Sequence, residues 1–390
     1  MRTKESNPKT RRVGAFALAA LVAGCLSFPS LAFAVVKIDS TELAQGENAV
    51  GGGTATLTES VLDVINVTAA TVYADENLTM NFNGGNDIHQ VEVASSAEVD
   101  VNFTGENEVT EVYAKDNSDV TLNADGHNEF EEIVATDNSN MTINVTGEND
   151  FEEITGYDNA NITVRGTDCQ KKDILNLGKD EEDSNLSTSK GALVIDHVTV
   201  NLEADATYIG SELGDVRIDT SKVALDDDAK IANIYAGGKM DIIESVIETV
   251  GTVSSVDKMT INHSDVEVDK PSGEYGPVSP YRVFSRTGVE LINEENGEVR
   301  EGEIDGKKVY YVDTDDGDKV DLEADGDPAY YKCKDDDDSS HAAAAKALPK
   351  TADTVSPYGL VLLALASVAT ALFAVRRRQE PCKRGKHANR

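Results

Sequence analysis

The 390-residue chain has room for two average domains or one long repeat, and it is strongly acidic, with 71 Asp and Glu against 35 Lys and Arg and a formal net charge of −36. Such a surface repels nucleic-acid phosphates and anionic lipid, which argues against both as partners, and it favours divalent cations or basic partners. Trp is absent, only 5% of residues are aromatic, and Thr, Asn, Asp, Val and Ile dominate the middle, a mixture that suits short β-strands joined by polar turns better than a helical bundle.

Residues 1–34 read as a signal peptide. Arg11 and Arg12 close a basic segment, Val13 to Leu26 form an apolar stretch, and Pro29 breaks it. Ala32-Phe33-Ala34 then supplies the small residues a signal peptidase accepts, so cleavage is expected after Ala34. An alternative is Val22-Ala23-Gly24-Cys25, which resembles a lipobox and would place a lipid on Cys25.

From residue 35 to 75 the pattern suggests an N-terminal cap and a first weak coil. A repeat follows. Gly84, Gly105, Gly126 and Gly147 recur at a 21-residue step, and Asn86, Asn107, Asn128 and Asn149 keep it. Leu78, Val99, Val120, Met141 and Ile162 form one apolar column, and Met80, Val101, Leu122, Ile143 and Val164 form the next. Ile88, Val109, Phe130 and Phe151, then Val91, Val112, Ile133 and Ile154, complete the set. Alternation with period two is a strand with one buried face, and a unit this short buries that face only by stacking on its neighbours. The spacing therefore predicts an all-β, right-handed parallel β-helix over 76–270, with glycine at a positive-φ turn and the Asn column sharing amide hydrogen bonds from turn to turn.

The second half speaks a different dialect. Leu193-x-Ile195, Val216-x-Ile218, Met240-x-Ile242 and Met259-x-Ile261 open strands at irregular steps, and Ser221, Ser245 and Ser264 follow the last three. Lys171 to Lys190 is polar and reads as a loop leaving the coil. After Val268 the pattern stops; 271–333 reads as a connector and small β cap, and 334–347 as a flexible stalk. Cys169 and Cys333 are the two cysteines between the processed ends and are candidates to pair, although their spacing does not require it.

At the C-terminal end, Leu348-Pro349-Lys350-Thr351-Ala352 precedes an apolar run, Tyr358 to Val375, and Arg376-Arg377-Arg378. The run (358–375) is long enough for a transmembrane helix, and the arginines hold the tail (376–390) in the cytoplasm. This arrangement resembles the LPXTG cell-wall sorting signal of Gram-positive surface proteins. The resemblance implies that a sortase recognises 348–352, cleaves after Thr351, and passes the acyl group to a peptidoglycan precursor. Ala352 stands where Gly is usual, which implies a sortase that accepts Ala, and the tail beyond the arginines is longer than usual. The alternative is a single-pass membrane protein. With both ends removed, residues 35–351 keep 23 Lys and Arg against 68 Asp and Glu, a net charge of −45.

No nucleophile elbow, phosphate loop or metalloprotease motif is present, and no Cys/His spacing suggests zinc. Between 78 and 164 the only basic or His residues are His89, Lys115 and His127, at unrelated columns. The expectation is a non-catalytic surface protein, adhesin-like or protective, binding an extracellular glycan or protein. The alternatives are a polysaccharide-processing β-helix enzyme and a structural spacer. A ligand face is expected at Thr121, Asn123, Thr142 and Asn144, where an outward Thr/Asn surface can hydrogen-bond a glycan, or order water as ice-binding solenoids do. No cofactor is expected; Asp116, Asp137 and Asp158, which would stack as like charges, are the Ca²⁺ candidates, with Asp315-Asp316-Gly317-Asp318 a weaker one.

Overall fold

A computed structural model of the chain describes residues 36–333, apart from 168–172, 180, 227–228, 272–278 and 315–318. Among the described residues it is all β save for one four-residue helix, Ala329–Lys332, and it winds as a parallel β-solenoid of about ten turns. The expected signal peptide, sorting motif and transmembrane run, and Asp315 to Asp318, lie outside the described residues.

Each early turn lays one strand in each of two parallel sheets. In the first sheet, Leu78–Asn83 stacks on Glu98–Gly105, then Asp119–Gly126, then the long strand Asn140–Gly156. In the second, Asp87–Val93 stacks on Glu108–Ala114, Glu129–Ala135 and the far half of Asn140–Gly156. The register follows the sequence repeat throughout, so every column read from the sequence is a physical column. The glycine column sits between the sheets at φ 87°, 101°, 110° and 78°, a conformation that β-carbon crowding makes costly for other residues. At Gly126 an added Cβ would also lie 2.8 Å from the Gly105 carbonyl oxygen.

Inside, the columns meet. Met80, Phe82, Val91, Val101, Phe103, Val112, Leu122, Ile133 and Ile143 have no exposed surface, and each such side chain contributes about 1.5–3 kcal/mol by leaving water. The bulk of the core changes sides part-way along. Phe82 and Phe103, from the first sheet, stack at 4.6 Å between ring centroids. One turn later the first-sheet position is Ala124, and Phe130 fills the space from the second sheet, edge-on to Phe103 at 5.3 Å. Phe151 then stacks on Phe130 at 4.8 Å opposite Val145. A large residue in one sheet faces a smaller one in the other, which keeps the interior volume per turn nearly constant.

Polar interior positions are satisfied by ladders. Asn86 Nδ2 donates to Asn107 Oδ1, Asn107 Nδ2 to Asn128 Oδ1, and Asn128 Nδ2 to Asn149 Oδ1, each at 2.8 Å. This is the rung-to-rung amide sharing expected of that column. In the later turns serine takes the role. The backbone N–H of Ser221 donates to Ser245 Oγ and that of Ser245 to Ser264 Oγ, with all three serines fully buried. The chain ends on Glu294, whose Oε1 accepts from the Ser264 N–H and whose carboxyl burial pushes up to about 7.

Two expectations need correcting. Lys171 to Lys190 is not a loop over its described part: Ile174–Leu177 and Asp183–Thr188 are solenoid strands, stacked on the long strand before them. Leu175, Leu177 and Leu186 point inward, while Asn176 bonds Asp150 and accepts from Asn201, so the polar residues are satisfied inside the stack. Parallel stacking also continues past Val268, through Val283–Ser285 and Val289–Ile292.

Both ends of the coil are closed by antiparallel strands. Gly46–Val50, Gly53–Thr58 and Val61–Ile65 meander onto the first sheet, and Val36–Ile38 pairs antiparallel with Thr68–Ala74. At the far end, Lys307–Asp313 runs antiparallel to Val283–Ser285 and to Glu298–Ile304, and Val320–Leu322 antiparallel to Asp265–Asp269. A bare parallel edge would template another chain, and the reversed strands remove that template.

Candidate functional site

The outward side of the first sheet carries the residues expected as a ligand face. Thr121, Asn123, Thr142 and Asn144 are half-buried there, in two adjacent columns on consecutive turns. The asparagines form a second, outer ladder. Asn144 Nδ2 donates to Asn123 Oδ1 at 2.5 Å, Asn123 Nδ2 to Asn102 Oδ1 at 2.6 Å, and Asn102 Nδ2 to Asn81 Oδ1 at 2.8 Å. The next turns supply charged ends: Arg165 Nε donates to Asn144 Oδ1 at 2.6 Å, and Asp63 Oδ1 accepts from Asn81 Nδ2 at 2.7 Å. A cation at the oxygen end and an anion at the N–H end stabilise a line of aligned amide dipoles, as charges do at helix termini. Sequence reading missed both ends, because each breaks the Asn column. Each amide spends one N–H and one acceptor site on the ladder, which leaves a second of each to face water.

The second sheet is acidic. Glu111, Glu132 and Glu153 stack one turn apart, half-buried, with Gln90 donating to Glu111 and Asn185 to Glu153, both at 3.0 Å. Burial first, and then the charges of Glu153 and Glu111, hold the Glu132 carboxyl above its ordinary value. Nearby, ligand atoms of His127, Glu129 and Asp150 lie within 4.8 Å of one another. His127 Nδ1 also donates to the Glu148 carbonyl at 3.2 Å. One imidazole and two carboxylates suit a divalent transition metal. Lys179, however, already places its ammonium 2.6 Å from the buried Asp150 carboxylate, which Asn176 also bonds at 2.8 Å.

Burial alone would raise the Asp150 carboxyl; the hydrogen bonds from Lys179 and Asn176, helped by the Lys179 charge, prevail and hold it below the ordinary value. Stability from a depressed carboxyl is present above its unfolded pKa of ~3.9 and is lost as pH falls through the folded value. Lys179→Met is therefore expected to lower stability by about 1–2 kcal/mol at pH 7. Thermal unfolding of both proteins should show that gap closing below about pH 3.

The acidic turn column lies at another corner. Asp116, Asp137 and Asp158 take the left-handed conformation, at φ 55°, 61° and 55°, which Asp tolerates better than most residues. Protein groups meet two of these charges: Asp137 Oδ2 accepts from the Asp116 N–H at 3.4 Å and from Thr136 Oγ1 at 3.1 Å, and Lys190 Nζ lies 3.7 Å from Asp158.

The sortase residues Leu348, Pro349, Lys350, Thr351 and Ala352, and the signal peptidase residues Ala32 and Ala34, fall outside the described residues. The last described residue before the motif is Cys333, at the end of a solenoid that closes with its own cap. The family model for the LPXTG cell wall anchor motif matches residues 340–380, a span that takes in Leu348 to Ala352, the apolar run and the three arginines. The chain ends in a cell-wall anchor. The anchored protein is thus a surface protein covalently attached to the cell wall, with the solenoid as its ectodomain. No curated protein and no solved structure matches the chain.

Proposed function

We propose that the anchored protein is adhesin-like and non-catalytic, joined to peptidoglycan through Thr351, and that it binds an extracellular glycan on the outward Thr/Asn face of the first sheet. The observation that carries this reading is the outer ladder from Asp63 to Arg165. It freezes four amides in one orientation before any ligand arrives, which removes ordering cost from binding. Their remaining donors and acceptors repeat at the strand spacing of about 4.8 Å, beside a threonine column, and a hydroxyl-rich polymer offers matching groups along its length.

The test is a glycan array probed with the mature ectodomain, followed by the double variant Thr121→Val/Thr142→Val. Valine keeps the β-branched shape and removes two hydroxyls outside the ladder. The expected result is an affinity loss of about tenfold or more with unchanged thermal stability. Binding that is indifferent to both substitutions would move the ligand elsewhere.

The cluster of His127, Glu129, Asp150 and Lys179 favours the polysaccharide-processing alternative, since it gathers acid, base and cation on one face. Turnover of a bound polysaccharide on the array, lost in His127→Ala, would establish it. A pure spacer would bind nothing and would tolerate removal of a whole turn.

A further inference from the structure

One corner of the later turns is a column of left-handed residues, His197, Thr220, Glu244, His263 and Asn293, one per turn. After Val320–Leu322 the chain doubles back along this corner as a strap, residues 323–333. Ala324 forms a bridge with Glu294, and the Asp325 N–H donates to the Asn293 carbonyl at 2.8 Å. Further back, the Ala329 N–H donates to Glu244 Oε2 at 2.8 Å and the Tyr330 N–H to the Glu244 carbonyl at 3.2 Å. The hydroxyl of the buried Tyr330 lies 2.9 Å from Thr199 Oγ1, two residues after His197.

His263 sits between the corner and the strap, and its hydrogen bonds fix its protons. Nε2 lies 3.0 Å from the Asp325 carbonyl, which only accepts, so Nε2 carries a hydrogen. Nδ1 lies 2.8 Å from Glu244 Oε2, the oxygen that also holds the Ala329 N–H, and a second hydrogen stands between those two side chains. The docked strap therefore holds one proton more than a neutral imidazole beside a free carboxylate. Glu294, one turn on, holds another. Its Oε1 accepts from the Ser264 N–H at 3.2 Å, while Oε2 is buried with no hydrogen-bond partner among the described residues. Burial pushes this carboxyl up to about 7, with a smaller push from Asp265, against the backbone N–H groups of Ser264 and His263 and the His263 charge. Asp265 Oδ1 itself accepts from the Ala324 N–H at 3.0 Å. On the strap, Glu323, Asp325, Asp327 and Lys332 are exposed, and Tyr331 stays neutral, pushed up to about 12 by burial and then by the charges of Asp265 and Glu248.

We propose that the strap is a proton-operated latch, which docks on the corner of Glu244, His263 and Asn293 while His263 and Glu294 hold their protons and opens when they lose them. Protons taken up on docking are given back on opening, so docking weakens as pH rises. Stabilisation from the raised Glu294 carboxyl is complete below its unfolded value of ~4.3 and is lost as pH rises through about 7. The proton between His263 and Glu244 acts with the same sign. Once ionised, Glu294 is a buried anion with one unmet oxygen, and its retreat to water pulls at the bridge to Ala324. A neutral His263 has one hydrogen for two acceptors, so it lets go of either Glu244 or the strap. Mild acid fastens the C-terminal closure of the solenoid, from which the chain runs on toward Thr351, and mild alkali loosens it.

The experiment is amide hydrogen exchange on the mature chain at about pH 6 and about pH 8, corrected for the intrinsic rise of exchange with pH. Protection of the Asp325, Ala329 and Tyr330 amides should fall about tenfold or more across that range, while the Ser221 and Ser245 amides inside the solenoid keep theirs. In the double variant His263→Gln/Glu294→Gln neither side chain titrates, and strap protection should be the same at both pH values. Glutamine keeps a donor and an acceptor at each position, and the Ser221 and Ser245 amides report in the same sample whether the variant has folded. Should it not fold, the pH profile of the unaltered chain decides alone. Strap protection in that chain that does not change between the two pH values, or a fall that survives in the folded double variant, would overturn the proposal.

Discussion

Phe130→Ala should lower unfolding free energy by about 3–5 kcal/mol, and replacing Ala124 by Phe in the same chain should restore much of that. Phe130 is 2% exposed and touches aromatic rings on both sides, Phe103 at 5.3 Å and Phe151 at 4.8 Å between centroids. Its first-sheet counterpart in the same turn is Ala124, so truncation leaves two alanines facing one another and an empty space between the sheets. The preceding turn solves the same packing problem the other way, with Phe103 opposite Val109. The pair Ala124→Phe/Phe130→Ala returns the large side chain to the first sheet, as in that turn. Denaturant unfolding of the single and double variants measures the coupling directly. A double variant as unstable as the sum of its parts would show that the two sheets do not share one volume.

The second large effect is electrostatic in origin. Asn128→Leu is expected to cost about 2–5 kcal/mol, although leucine is similar in size and more apolar. Asn128 is fully buried, accepts from Asn107 and donates to Asn149. Leucine strands the Asn107 N–H and leaves the Asn149 oxygen with only the backbone N–H of residue 128, at 3.1 Å. Each orphaned group costs about 1–3 kcal/mol where water cannot replace the partner. Asn123→Leu in the outer, half-exposed ladder should cost under about 1 kcal/mol, because water reaches the groups it frees. Amide hydrogen exchange should localise the first loss to the turns around Gly105 to Gly147 and show little change for the second.

The coil was readable where one rule repeated without exception. A constant repeat length, period-two alternation and an invariant glycine leave few other ways to bury the apolar face, so Leu78 to Ile154 fell into columns from sequence alone. Where the step varied, polarity misled. Ile174–Leu177 and Asp183–Thr188 look like loop because Asn176 and Ser184 occupy buried sites. Partners one turn away satisfy Asn176, and local sequence does not show them. The last turn escaped notice because an insertion that includes 272–278 separates Asp265–Asp269 from its continuation at Val283–Ser285. The exchange of Phe between sheets was invisible to columns read one at a time, since it appears only when Ala124 and Phe130 are considered together.

The candidate face was partly readable for a similar reason. Thr121, Asn123, Thr142 and Asn144 obey the repeat, whereas Asp63 and Arg165 matter because they end it. Lys179 belongs to no column at all, and only the fold brings it to Asp150. The sorting motif needed no fold to be recognised, because a linear peptide is what a sortase reads.

The two amide ladders run in opposite senses. The inner one donates toward later turns and the outer one toward earlier turns, and both pass through the same register. Length in this part of the gene is therefore quantised. Gain or loss of one whole unit between Leu78 and Val164 keeps donor facing acceptor in both ladders, leaves Asp63 and Arg165 at the ends, and changes the height of the molecule by about 4.8 Å. A change of any other size inside a strand shifts the residues that follow out of both ladders, and an odd one also moves apolar columns to the wrong face. Variation in reach from the wall, in relatives of this chain, should come in whole turns.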